Sequence, residues 1–109
     1  TAPVDLNDFS FTFQGKKTSF DYAYIIIHGT PGENGVLEGY LRLMRIPFST
    51  CDVLASALTF NKFVLNKTMK SCKVNVAKSI RIRKGDVIDP DRVMRKVGLP
   101  CFIKPTDGG

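Results

Sequence analysis

The segment from His28 to Gly39, HGTPGENGVLEG, most constrains the fold because it joins two elements of different periodicity. The run before it, Tyr22–Ile27, is continuously apolar and rich in β-branched residues, which predicts a strand covered on both faces, as in a parallel sheet. An apolar stripe at helical spacing then predicts a helix from about Glu33 to Met44. A strand, a glycine-rich turn and a helix in this order leave free backbone N–H groups where an anion can bind.

The residues after this helix predict a βαβ unit. Ile46-Pro47 ends the helical pattern, and a short extended segment follows it. Strand, helix and strand joined by short links are typical of parallel pairing. On the polar face of the helix we expect Glu38 and Arg42, which are four residues apart.

The first 20 residues predict a β-hairpin that carries no obvious chemistry. Phe9, Phe11 and Phe13 alternate with polar residues, which is the period of a strand with one apolar face. Gln14-Gly15 is a turn signal, after which residues 17–20 can return as a second strand. We interpret the hairpin as an edge element or an insertion.

The rest of the chain predicts short helices and strands. Helices are expected over 52–58, 60–70 and 92–97, the last capped by Asp89 and ended by Gly98. Strands are expected over 72–77, 79–83 and 99–105, and a glycine-rich loop begins at Thr106. The composition changes after Lys70, so we expect one domain over residues 1–70 and the start of another over 71–109.

Composition disfavours several classes of function. The net charge of +6 permits an anionic partner, but the positive charges are scattered, so no nucleic-acid partner is expected. No apolar run approaches the roughly 20 residues that span a bilayer, so no membrane partner is expected either. The 3 cysteines are far apart and odd in number, which argues against a disulfide framework and a zinc site and fits a reducing compartment.

Two polar residues, His28 and Lys62, are candidate ligands on chemical grounds alone. His28 is the only histidine, and it is either a ligand or a satisfied residue at the end of a strand. Lys62 falls in the first turn of a predicted helix, where the helix dipole disfavours a cation unless an anion is near. The alternative for Lys62 is an exposed lysine tolerated at a cost of a few tenths of a kcal/mol, roughly.

Three motifs occur in one order: HGTPGENGVLEG, PFSTCDVLASALTFNK and GLPCFIKPTDGG. Together they resemble the D-alanine–D-alanine ligases of the ATP-grasp superfamily, from about Tyr22 to the last residue. The resemblance implies an α/β fold: an incomplete parallel-sheet N-terminal domain with the βαβ unit, then the start of an α+β ATP-grasp domain. It also implies an internal fragment, inactive alone, because the family's first glycine-rich turn, loop serine, adenine pocket and magnesium-binding carboxylates fall outside this chain.

The resemblance implies an enzyme that uses ATP and Mg²⁺ to phosphorylate the carboxylate of one D-alanine. The amino group of a second D-alanine then attacks, giving a dipeptide for peptidoglycan. It further implies a cytoplasmic location and a homodimeric parent protein. Two alternatives stay open: a small module that binds phosphate or another anion, and a ligase that makes D-Ala-D-Lac or D-Ala-D-Ser.

The resemblance also assigns roles to individual residues. His28 matches the catalytic histidine beside the first D-alanine and the transferring phosphate, and Glu33 matches an acidic residue that either holds the turn or contacts substrate. Lys62 and Lys104 match lysines that bind ATP phosphates; a lysine in an otherwise apolar strand favours that role over a surface lysine. Gly108 and Gly109 match the start of the flexible loop that covers the phosphates. No metal ligand is expected within the chain.

Overall fold

The computed structural model describes residues 2–108 and places three strands and four helices among them. The strands are β1 (Val4–Asp5), β2 (Ser10–Phe13) and β3 (Lys16–Thr18), and the helices are α1 (Val36–Leu43), α2 (Val53–Phe60), α3 (Lys62–Ser71) and α4 (Pro90–Val97). Within the described part of the chain, no helix has the length and apolar character needed to cross a membrane.

The predicted hairpin is confirmed. Strands β2 and β3 pair antiparallel, with Phe13 opposite Lys16. Gln14 and Gly15 lie between them with φ of 48° and 77°, the pair of left-handed conformations that a tight two-residue turn requires. Strand β1 pairs with the other side of β2 and makes a three-stranded sheet, which the sequence pattern did not indicate.

Aromatic contacts fix this sheet against α1. The Phe9 ring centroid lies 5.8 Å from that of Phe20 and 6.0 Å from that of Tyr40 in α1. The Tyr40 hydroxyl donates a 3.0 Å hydrogen bond to the Leu6 carbonyl. The hairpin is therefore packed on the helix that follows the glycine-rich turn, because its aromatic side chains need a second apolar surface.

The βαβ connection is present in a reduced form. The Ala23 N–H donates to the Pro47 carbonyl at 2.9 Å, and the Ser49 N–H donates to the Ala23 carbonyl at 3.1 Å. These bonds make one parallel bridge, between Ala23 and Phe48. The prediction of a strand over the whole of Tyr22–Ile27, covered on both faces, is wrong: Tyr24 is 74% exposed and Ile26 is 81% exposed. Apolar β-branched residues form a ladder only where a neighbouring segment runs beside them, and here Pro47–Ser49 supplies that neighbour for a short stretch.

The hydrophobic core lies beneath α1. Leu41 is fully buried and packs with Ala23 and Ile46. Partly buried apolar side chains surround this cluster: Phe9, Ile25, Leu37, Tyr40, Met44 and Phe48. The apolar stripe predicted for α1 thus packs against the bridge between the two extended segments.

Glu38 is not on the polar face of α1 as predicted, since it is fully buried. Its Oε1 accepts hydrogen bonds from the Ser56 hydroxyl at 2.9 Å and the Thr50 hydroxyl at 3.4 Å. The segment after Phe48 and the first turns of α2 cover this side of α1, so the expected surface pair with Arg42 does not form. Sequence spacing alone does not show which polar position a later helix will cover.

Helices α3 and α4 confirm the helices predicted over 60–70 and 92–97. The Asn61 side chain accepts from the Val64 N–H at 3.0 Å and caps α3. The Asp89 side chain accepts from the Arg92 N–H at 3.1 Å and caps α4, which Gly98 ends with φ of 86°. By contrast, the strands predicted over 72–77, 79–83 and 99–105 are wrong, because no part of these segments is in a strand.

The chain forms two compact units, one ending at Ala57 and the other beginning at Leu58. The division falls within α2, whereas the sequence predicts a change of domain between residues 70 and 71, which stays a prediction. All of the fully buried side chains among residues 2–108 belong to the first unit.

Candidate functional site

The glycine-rich turn is closed by the carboxylate of Glu33. Its Oε2 accepts the Gly29 N–H at 2.5 Å and lies 3.4 Å from Nδ1 of His28. The Glu33 N–H in turn donates to the Gly29 carbonyl at 2.9 Å. These reciprocal contacts let Glu33 hold the backbone of the turn and leave the His28 side chain 87% exposed beside it.

Two glycines of the motif are required by close packing. A Cβ on Gly32 would stand 2.5 Å from the Cβ of Ile27, because the turn folds back on the segment that precedes it. Gly35 has φ of 88°, and a Cβ there would stand 2.9 Å from the Val53 carbonyl oxygen. The glycines therefore let the turn approach Ile27 and Val53, which is a structural reason for the motif.

The first N–H groups of α1 are already paired. The Val36 N–H donates to Oδ1 of Asn34 at 3.3 Å, and the Leu37 N–H donates to the Pro31 carbonyl at 3.1 Å. The expectation of free N–H groups is therefore wrong at these two positions, since loop acceptors satisfy both. The turn also carries its own anion, Glu33, which lowers its attraction for a second one.

In the second unit the structure brings Lys62 together with the glycine-rich loop at 106–108. The Lys62 N–H donates to the Thr106 carbonyl at 2.9 Å, and the Lys62 ammonium donates to the Gly108 carbonyl. Beside them, Nδ2 of Asn61 donates to Oδ1 of Asp107 at 2.7 Å. Of the two predicted loop glycines, Gly108 thus contacts a predicted phosphate-binding lysine, and Gly109 lies outside the described residues.

Lys104 is exposed and associates with an aromatic ring. Its Nζ lies 5.7 Å from the ring centroid of Phe102, which is itself 89% exposed. A cation over a ring face is attracted by the ring quadrupole, so Phe102 orients the ammonium without neutralising it. Among residues 2–108, no carboxylate forms an ion pair with Lys104.

The hydrogen bond between Asn61 and Asp107 was not predicted from the sequence. The helix cap at Asn61 has a local signal, but its partner is 46 positions away in the chain. A hydrogen bond between distant side chains leaves no periodic trace in the sequence. The sequence indicates only that Asn61 is next to Lys62 and that Asp107 is three residues after Lys104.

The described residues offer no evident metal centre: between residues 2 and 108 no three His, Cys, Asp or Glu side chains form a group that can hold a metal ion. The cysteines are unpaired, with Cys51 and Cys72 exposed and Cys101 half-buried. The cations Lys62 and Lys104 among the predicted site residues are of the kind that contacts phosphates and carboxylates.

Comparison with known proteins finds similar enzymes, although no family model matches the chain. The chain is 57% identical over 107 residues, 98% of its length, to the D-alanine–D-alanine ligase of Phocaeicola vulgatus. It therefore resembles a D-alanine–D-alanine ligase along nearly its whole length. A second D-alanine–D-alanine ligase, from Bacteroides thetaiotaomicron, is 54% identical over 108 residues. The chain spans 33% of the length of each of these two ligases.

A solved structure shows the same resemblance. The D-alanine–D-alanine ligase from Coxiella burnetii matches with a TM-score of 0.69 and 25% sequence identity. The match covers 74% of this chain and 25% of that ligase. The small α/β architecture described above is therefore a part of the ligase fold.

Proposed function

We propose that this chain is a portion of an ATP-dependent ligase that joins two D-alanines for peptidoglycan synthesis. The observation that carries the proposal is the 57% identity to a D-alanine–D-alanine ligase across 98% of the chain. In the proposed reaction, the γ-phosphoryl group of ATP passes to a carboxylate oxygen of the first D-alanine. The amine of the second D-alanine then attacks the carbonyl carbon of this acylphosphate, and inorganic phosphate leaves with the bonding electron pair.

The first unit is proposed to supply the substrate side of the site through His28. The imidazole is exposed, and Glu33 fixes the turn beside it through the Gly29 N–H. An imidazole in this position can donate a hydrogen bond to a carboxylate or to the transferring phosphoryl group. We propose His28 as a catalytic residue and Glu33 as the residue that holds the turn on the substrate side.

The second unit is proposed to supply cations for the ATP phosphates. An ammonium has three donors, so Lys62 can donate to the Gly108 carbonyl and still reach phosphate oxygens. Lys104 is exposed and lacks a neutralising partner in the described residues, which suits a second phosphate ligand. Gly108 and Gly109 are proposed to begin the loop over the phosphates. Preorganised positive charge of this kind stabilises a phosphoryl group during its transfer.

The family's Mg²⁺ neutralises phosphate charge when it is bound. The described residues of this chain hold no cluster suited to it, so we assign it no ligand here and give it no step. A cytoplasmic location and a homodimeric assembly are proposed from the family alone. The alternative of an independent anion-binding module is disfavoured, because the turn pairs its own N–H groups and carries its own carboxylate.

The activity is tested in the full-length protein that contains this chain. Incubation with D-alanine and ATP is expected to give D-alanyl-D-alanine, ADP and phosphate, identified by mass spectrometry. Formation of ADP without dipeptide would contradict the proposal.

The nucleotide site is tested with Lys104→Ala. Loss of one phosphate-binding cation is expected to weaken ATP binding by at least about tenfold, measured by calorimetry. Lys96→Ala, which removes an exposed lysine from α4, is the matched control and is expected to leave ATP affinity unchanged. Equal ATP affinity in wild type and Lys104→Ala would remove Lys104 from the site.

A further inference from the structure

The start of α3 holds three consecutive residues of the glycine-rich loop. The Lys62 N–H binds the Thr106 carbonyl at 2.9 Å, Nδ2 of Asn61 binds Oδ1 of Asp107 at 2.7 Å, and the Lys62 ammonium binds the Gly108 carbonyl. These contacts join residues about 46 positions apart in the chain. The loop is thus fixed to one helix terminus by a side-chain pair and by both nitrogens of one lysine.

Asn61 performs two tasks that need two different chemical groups. Its Oδ1 accepts the Val64 N–H at 3.0 Å and caps α3, while its Nδ2 donates to Asp107. A carboxylate in its place can accept the Val64 N–H equally well but has no N–H to donate. An amide at position 61 therefore matches the carboxylate at position 107, whereas a second carboxylate would face it with like charge.

We propose that Asn61 is a positioning residue that tethers residues 106–108 to α3 and thereby places the Lys62 ammonium for ATP. This inference rests on the proposed function, because it assigns Lys62 to the phosphates. The ammonium uses one donor on Gly108 and keeps two for phosphate oxygens. Because the lysine and the loop are ordered before ATP arrives, binding loses less conformational entropy.

The substitution Asn61→Asp in the full-length protein separates the tether from the cap. The aspartate keeps the cap of α3, but it meets Asp107 with like charge and no donor, so the loop is released. We expect the dissociation constant for ATP to rise about tenfold, with kcat changed less than about threefold at saturating ATP. The KM for D-alanine is expected to stay unchanged.

The decisive control is a double variant that restores the hydrogen bond with the donor and acceptor residues exchanged. In the double variant Asn61→Asp with Asp107→Asn, position 107 donates to position 61, and ATP affinity is expected to return to within about threefold of wild type. Asn66→Asp adds the same charge to α3 away from its first turn and is expected to bind ATP like wild type. A double variant as weak as Asn61→Asp, or an equal loss in Asn66→Asp, would overturn the tether.

A second variant distinguishes loss of the tether from misfolding. Asn61→Ser keeps a capping oxygen and adds no charge but is too short to reach Asp107, so we expect a smaller loss of ATP affinity. An ATP affinity equal to wild type in both Asn61→Ser and Asn61→Asp would overturn the proposal. The helical circular dichroism of each variant is expected to equal that of wild type.

Failure of the tether is distinguishable from failure of the proposed activity. ATP binding is measured by calorimetry without D-alanine, and dipeptide formation is measured separately. Loss and rescue of ATP affinity without any dipeptide would support the tether and contradict the ligase activity. Dipeptide formation with unchanged ATP affinity in Asn61→Asp would support the ligase activity and contradict the tether.

Discussion

Different kinds of contact stabilise each of the two compact units of this chain. The unit that ends at Ala57 has a buried core of Ala23, Leu41 and Ile46, with a sheet packed on α1. Among the described residues from Leu58 onward, no side chain is fully buried. Helices α3 and α4 begin at side-chain caps, and two cations lie near the ring of Phe63 on α3. Buried apolar side chains stabilise the first unit, whereas the described part of the second relies on hydrogen bonds, both at the helix caps and between α3 and residues 106–108.

The candidate site residues of the two units also differ in how far apart in the chain their partners lie. The turn at His28 is built from contacts between residues close in sequence, such as Gly29 with Glu33. The loop at Gly108 is instead held by Asn61 and Lys62, which are far away in the chain. Both groups of residues lie in recognisable sequence motifs, but the contacts of Asn61 and Lys62 with residues 107 and 108 form only when the chain is folded.

The largest effect on stability is expected when the side chain at the centre of the core is truncated. Leu41→Ala is expected to lower the free energy of unfolding by about 2–5 kcal/mol, because it leaves a cavity under α1. Urea denaturation of the full-length protein measures the loss. Leu43→Ala, at a position that is 79% exposed, is the matched control and is expected to cost less than about 0.5 kcal/mol. Equal effects at the two positions would mean that the core does not stabilise the first unit.

A smaller effect is expected at the cap of α4. Asp89→Ala removes the acceptor of the Arg92 N–H and is expected to destabilise the helix by about 1 kcal/mol. Hydrogen exchange of the α4 amides is expected to accelerate by several fold. Asp89→Asn keeps a capping oxygen and is expected to exchange at nearly the wild-type rate; acceleration equal to that of Asp89→Ala would show that the cap does not define this helix.

The smallest effect is expected in the hairpin, at an exposed ion pair. Nζ of Lys17 lies 2.5 Å from Oδ2 of Asp8, and the hydrogen bond from this ammonium, with a second one from Ser10, holds the pKa of Asp8 below its usual value of 3.8. Because the pKa is lower in the folded state, the stabilisation is complete above the unfolded pKa and is lost as the pH falls through the folded pKa. In Lys17→Ala, the Asp8 carboxyl carbon is expected to titrate at a higher pH by NMR. An identical titration in both proteins would mean that the pair does not persist in solution.

Local chemistry explains what could be predicted of the fold. The caps at Asn61 and Asp89, the glycine after α4 and the turn at Gln14-Gly15 act through residues two to four positions away. Sequence order alone was sufficient for these elements. The strands predicted over 72–77 and 99–105 failed because a strand requires a neighbour, and the periodicity of one segment carries no information about its neighbour.

Local sequence signals were enough to predict the helices, the side-chain caps of α3 and α4, and the glycine-rich turn, and the motifs were enough to show the resemblance to the D-alanine–D-alanine ligases. The burial of Glu38 against Ser56, the parallel bridge at Ala23 and the hydrogen bond between Asn61 and Asp107 could be seen only in the folded chain. The physical reason is distance along the chain. A cap or turn is complete within a few residues, whereas burial and long-range hydrogen bonds depend on which distant segment covers a given side chain.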